Sequence, residues 1–129
     1  DELCSQMEGR RAIHNYGLRP NRRPDDAPLP DVVHPVLRRH PETGQPAVFV
    51  TPSYTGSIEG FSREESDAAL RALIGHALQR KYQMRYQWQK GDVVFWDNAA
   101  VMHCATVREL PREKHRTLWR ISLTGERTC

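Results

Sequence analysis

Apolar residues recur at helical spacing in one stretch of this chain and at strand spacing in several others. Leu70, Leu73, Ile74, Ala77 and Leu78 form an i, i+3, i+4 stripe, which predicts one amphipathic helix. Ser62-Arg-Glu-Glu65 stands just ahead of it with the pattern of a capping box: the serine accepts from the first turn and Glu65 reaches back. His76 falls off the stripe and reads as a surface or boundary residue. Upstream, Val32 to Arg39 and Ala47 to Thr51 read as two strands joined by the turn Pro41-Glu-Thr-Gly44. Downstream, Tyr82 to Trp88 and Val93 to Trp96 flank Gly91-Asp92 as a hairpin. Val101 to Val107 and Arg116 to Leu123 read as two further strands. Side chains alternate faces along a strand, so Arg116, Leu118 and Arg120 share one face and Thr117, Trp119 and Ile121 the other.

The first 31 residues differ. A short helix is expected near Glu2 to Arg10. The following Arg19-Pro-Asn-Arg-Arg-Pro-Asp-Asp-Ala-Pro-Leu-Pro30 is almost free of large apolar groups and reads as a mobile loop rather than a core element. Several short strands with one packed helix suggest a mainly β, jelly-roll type architecture. Such a partial jelly roll leaves open sheet edges and an exposed inner face, so it is either incomplete or pairs with another chain.

Composition narrows the class of protein without supplying chemistry. The chain has 129 residues, 38% hydrophobic and 27% charged, with a net charge of +3, as in an ordinary globular domain. No apolar run approaches the ~20 residues of a membrane span, so no membrane association is expected. The arginines at positions 19, 22 and 23 lack the interleaved aromatic platform of a single-strand binder, and nucleic acid is not expected as a partner. No signal-peptide pattern is present, and a start at Asp1 rather than Met fits a processed or truncated product. Cys4, Cys104 and Cys129 are odd in number and far apart, which argues against a disulfide scaffold or structural zinc and for a reducing, cytoplasmic compartment. Cys104 reads as a small buried apolar residue.

Chemistry enters with Trp88 to Arg120. His103 is a potential metal ligand in mid-strand; taken alone, such a histidine is more commonly a core residue bonded to backbone. Arg116 and Arg120 lie inside an otherwise apolar strand, and buried charge needs a partner. A bound dianion is one solution, and a pair of solvated edge residues is another. In an extended strand their Cα atoms stand about 13 Å apart at ~3.3 Å per residue, so they would address different anionic groups.

Gly91-Asp92, Trp96-Asp97-Asn98, His103 and Arg116-x-x-x-Arg120 together resemble the Fe(II)- and 2-oxoglutarate-dependent dioxygenases typified by taurine dioxygenase. The resemblance runs upstream through Tyr54-Thr55, Ala47-Val-Phe-Val50 and His34 to Gly44, and reaches Glu8 to Asn15, covering essentially the whole chain. It implies a partial double-stranded β-helix with an amino-terminal lid-like segment over residues 1–31, the remaining 32–129 forming the strands and helix. By that resemblance His103 is an iron ligand, Arg116 holds the distal carboxylate of 2-oxoglutarate, Arg120 holds the acidic group of the substrate, and Tyr54 lines the substrate pocket. The implied reaction hydroxylates a small anionic substrate (a sulfonate, sulfate ester or carboxylate) with molecular oxygen, releasing succinate and carbon dioxide. A homo-oligomer is among the assemblies open to it.

Two departures qualify the likeness. Ala99 stands where relatives commonly carry an arginine. The His-x-Asp or His-x-Glu element that completes the family's 2-His-1-carboxylate triad is absent. His40-Pro-Glu42 mimics it but falls in the Pro-Glu-Thr-Gly turn and is not expected to bind metal. The chain thus resembles the carboxyl-terminal half of such an enzyme, and a catalytically incompetent structural or interaction module is the alternative.

Overall fold

In the computed structural model of the protein, the described residues are 2–20, 22–106, 111 and 113–123. The elements, in chain order, are α1 (Glu2–Met7), β1 (Arg11–His14), β2 (Val32–Pro35), β3 (Leu37–Arg39), β4 (Pro46–Val48), β5 (Thr55–Ile58) and α2 (Arg63–Ala77), with 3₁₀ turns at Tyr16–Leu18 and Arg80–Tyr82. They build a three-stranded antiparallel sheet of order β2-β1-β5 and a two-stranded sheet of β3 and β4. The core gathers Met7, Ala12, Val36, Val50, Ile58, Leu70 and Leu73 between the sheet and the two helices.

The capping box at the start of α2 forms as expected. Glu65 N–H donates to Ser62 Oγ, and the Glu65 carboxylate accepts from Ser62 N–H at 2.8 Å. The Ser62 hydroxyl, donating to the same carboxylate at 2.7 Å, and then the Ser62 N–H hold the Glu65 carboxyl below its ordinary value. Leu70 and Leu73 are buried, whereas Leu78 at the end of the stripe is half exposed. His76 is exposed, with its ring against Tyr82. The Pro41–Gly44 turn also holds: β3 and β4 pair as Leu37↔Val48, Arg38↔Ala47 and Arg39↔Pro46. Gly44 takes a φ of +66°, which a side chain would oppose.

Four expectations are corrected. The stretch Val32 to Arg39 is not one strand; it breaks at the buried Val36 and contributes β2 and β3 to different sheets. The first 31 residues are more than helix and loop, because Arg11–His14 is the central strand of the larger sheet. Thr55–Ile58 forms a strand, β5, that the sequence reading does not include. Finally, no strand forms beyond Ile58 among the described residues, so the hairpin at Gly91-Asp92 and the strands at 101 and 116 are absent, as is a jelly roll. Residues 83–106 and 113–123 lack regular secondary structure apart from turns, and Phe95 and Trp119 are 88% and 96% exposed. Their propensity is strand-like, but a strand exists only when a neighbour accepts its N–H and C=O groups, and no described segment does so. Cys104 is accordingly exposed rather than buried. The end of the expected strand at Val107, together with Asp1 and Cys129, lies outside the described residues.

Candidate functional site

A cavity of about 490 Å³ opens beside the end of the three-stranded sheet. Its wall includes Tyr16, Leu29, Val32, His34, Phe49 and Tyr54. The register of β1 with β2 creates part of this wall. Ala12 pairs with His34 and His14 with Val32, so His14 and His34 are diagonal neighbours on one face. Their rings meet edge to face at 5.4 Å, and Phe49 lies 5.4 Å from His34 and 5.9 Å from His14. Tyr16 and Tyr54 approach at 6.2 Å, and the Asn15 N–H donates to the Tyr54 carbonyl at 2.7 Å. Tyr54 lies in the wall of this cavity.

His14 is buried and bonded at Nδ1 to Thr55 Oγ1 (3.3 Å), while its Nε2 has no partner. Burial, and secondarily the neighbouring His34, push its pKa below 6.5. Neither histidine stood out in the sequence as a pocket residue; both lie in the stretches that carry the family resemblance, but only the strand register brings them together.

The arginine- and proline-rich stretch is a closed loop. Asn15 Nδ2 donates to Asp31 Oδ1 at 2.6 Å across its base. Inside it Arg19 pairs with Asp26 and stacks on Tyr16 with its guanidinium carbon 4.2 Å from the ring centre. The Asp26 carboxyl is held below its ordinary value, first by the Arg23 backbone N–H and then by Arg19. Leu29 and Pro30, at the loop's end, line the cavity.

His103, Arg116 and Arg120 lie on the irregular segment and not on strands. All three are exposed. The His103 ring contacts Trp96 at 5.0 Å between centroids. Trp96 Nε1 donates to Asn98 Oδ1 at 3.0 Å, and Asp97 Oδ1 accepts from the Ala99 N–H at 2.7 Å, so Trp96-Asp97-Asn98 forms a compact turn ahead of His103. Among the described residues neither arginine has a hydrogen-bond or ion-pair partner, and no such bond joins Tyr54 to His103, Arg116 or Arg120. The structure thus presents the pocket wall and the charged segment as separate features.

His40 is occupied elsewhere. Its Nδ1 accepts from the N–H groups of Glu42 (3.2 Å) and Thr43 (3.3 Å), while Nε2 meets Asp97 Oδ2 at 2.6 Å. Both ring nitrogens are engaged, which accords with its exclusion as a metal ligand. No group of three His, Cys, Asp or Glu residues suited to a metal exists among the described residues. Among the described residues His103 therefore stands without the two further ligands that the sequence resemblance implies for iron.

Among the described residues, then, His103 follows the Trp96 turn by seven residues, and Arg116 and Arg120 stand without ion-pair partners. Residues 1–122 match the family described as "Taurine catabolism dioxygenase TauD, TfdA family", and the chain belongs to that family. An alkylsulfatase of Acinetobacter baylyi is 37% identical over 95 residues, covering 74% of this chain and 29% of the relative. The alpha-ketoglutarate-dependent 2,4-dichlorophenoxyacetate dioxygenase of Cupriavidus pinatubonensis is 33% identical over 110 residues, covering 79% and 38%. The crystal structure of a taurine dioxygenase from Burkholderia xenovorans superposes with a TM-score of 0.66 at 35% identity, covering 77% of this chain and 32% of that one. The chain spans under two fifths of the length of the curated relatives it matches. The described residues include no helix long and apolar enough to cross a membrane.

Proposed function

We propose that this chain is the carboxyl-terminal portion of an Fe(II)- and 2-oxoglutarate-dependent dioxygenase that oxidises a small anionic substrate with an apolar body, releasing succinate and carbon dioxide. The observation that carries this reading is the family match over residues 1–122, a span that contains Trp96-Asp97-Asn98, His103, Arg116 and Arg120. In this reading His103 supplies one imidazole to iron, and a competent centre needs two more ligands that the described residues do not gather. Arg116 binds the distal carboxylate of 2-oxoglutarate, and Arg120 the acidic group of the substrate. A planar guanidinium suits both tasks because it donates two parallel bonds to a carboxylate or sulfonate. Neither has a hydrogen-bond or ion-pair partner among the described residues, which supports these roles.

The cavity bears on the body of the substrate. Among the described residues its wall holds aromatic rings, two imidazoles and aliphatic side chains but no carboxylate, so these offer no counter-charge to an ammonium group. An alkyl or aryl body fits it better than an aminoalkyl one, as in the substrates that the names of the relatives from Acinetobacter and Cupriavidus imply. Tyr54 is the wall residue we assign to substrate contact. Leu29 and Pro30 support reading residues 15–31 as a lid.

The test is succinate release from 2-oxoglutarate by the full-length protein that carries this chain, under Fe(II) and oxygen, screened across alkyl sulfates, aryloxy acids and taurine. Turnover with the first two groups and little with taurine is expected. A specific observation favours a second reading, a non-catalytic module: the described residues gather no set of three metal-ligating side chains. Failure of the protein to bind Fe(II) anaerobically, together with no succinate from any substrate, would establish that second reading.

A further inference from the structure

We propose that His40 is a positioning residue: through Asp97 it fixes the turn carrying His103 against the β3–β4 hairpin. This inference rests on the reading of His103 as a metal ligand for its functional meaning, but its geometry stands separately. Nδ1 of His40 accepts two backbone N–H groups, so the ring proton sits on Nε2, which donates to Asp97 Oδ2 at 2.6 Å. The rest of His40 is equally fixed. Its N–H donates to the Gln45 carbonyl at 2.9 Å and its carbonyl accepts from the Gly44 N–H at 2.8 Å, both within the hairpin turn. The ring therefore projects from a rigid base with one donor and one orientation.

Asp97 receives that donor at the start of the turn. Its Oδ1 accepts from Ala99, and its carbonyl accepts from Ala100 (3.2 Å) and Val101 (3.1 Å). Trp96, its neighbour, lies against the His103 ring. One bond spanning 57 residues thus joins a rigid hairpin to a turn whose internal bonds run toward His103. Among the described residues beyond 82 no strand ladder holds the segment, which makes such a side-chain tie decisive for where His103 sits. A histidine whose local His-x-Glu pattern mimics a metal site serves here to place another histidine.

Asp97→Asn is the clean test, because Asn Oδ1 still accepts from Ala99 while its amide sets a donor against His40 Nε2–H. A nitroxide on Glu42→Cys, in the full chain with Cys4, Cys104 and Cys129 replaced by serine, reports how close the Trp96 indole and the His103 ring lie to the hairpin. Strong broadening of both is expected in the parent and in His40→Gln, whose amide can donate to Asp97. In Asp97→Asn and His40→Leu the broadening falls about tenfold, the population change that loss of one hydrogen bond to a charged group brings. Amide exchange at Ala12 and Ile58 stays unchanged in Asp97→Asn, separating positioning from general stability. Undiminished broadening in Asp97→Asn overturns the proposal. Anaerobic Fe(II) binding by the full-length protein, compared with its His103→Ala variant, tests the reading of His103 itself, so the two can fail independently.

Discussion

Ser66→Ala removes one oxygen from the joint between α2 and the sheet, and its cost follows from what that oxygen does. β5 is an edge strand, and its Ile58 N–H turns away from β1 to donate to Ser66 Oγ at 2.8 Å. Ser66 is fully buried and Ile58 is 2% exposed, so no water reaches the N–H once the acceptor is gone. An orphaned buried donor costs roughly 1–3 kcal/mol, and the single-atom void is too small to admit a bridging water. Alanine's better helix propensity returns a few tenths of a kcal/mol. The net expectation is a loss of about 1–2.5 kcal/mol. Urea titration followed by circular dichroism should show a lower midpoint with an unchanged slope, since the surface exposed on unfolding is the same. Amide exchange at Ile58 should accelerate alongside. A loss below about 0.5 kcal/mol with normal exchange at Ile58 would show that the strand edge is satisfied some other way, and the account of the joint would be wrong.

Leu73→Ala, at a side chain 2% exposed in the core, should cost about 2–5 kcal/mol in the same titration, with retention of full stability counting against α2 as the sheet's cover. His14 gives a pH dependence of defined sign. Its folded pKa lies below the unfolded value of 6.5, so below that value the unfolded chain binds the proton more readily; stability should fall as pH drops from about 7, and His14→Gln should flatten that slope. Arg116→Ala and Arg120→Ala should separate: the first raises KM for 2-oxoglutarate and the second KM for substrate, each by about 10- to 100-fold for ~1.5–3 kcal/mol of charge-assisted bonding. Identical kinetic profiles for the two variants would remove the division of labour between them.

What the sequence discloses of this fold is set by the range over which each element is determined. The α2 cap is closed within Ser62 to Glu65 and the β3–β4 turn within His40 to Gln45, so both are legible locally. β1 is not. Arg11-Ala-Ile-His14 has little alternation of its own and becomes a central strand because β2 and β5 arrive on either side. β5, Thr-Gly-Ser-Ile, is similarly concealed by Gly56. That glycine is tolerated because a Cβ there would lie 3.3 Å from Leu18 Cδ1, a tight fit that favours the missing side chain. The opposite error arises beyond residue 82. There Val93, Phe95, Trp119 and Ile121 supply the residue types of strands, yet each is at least three-quarters exposed. Strand propensity describes fitness for a ladder and cannot provide the ladder.

That asymmetry bears on the candidate site, because its two parts rest on different kinds of observation. The cavity at Tyr54 arises from tertiary register and stands on geometry alone, whereas His103, Arg116 and Arg120 stand on their order and spacing in the chain. Among the described residues no hydrogen bond runs between the cavity wall and the charged segment. The His40–Asp97 bond is where they come nearest to one account: its donor belongs to the ordered hairpin and its acceptor to the turn before His103. If His103 is to face a substrate in the cavity, the orientation of that turn has to be fixed from outside the segment. A side-chain tie from a rigid hairpin can do this without a complete sheet, which makes residues 40 and 97 a more direct test of the assembled site than any single residue of the cavity wall.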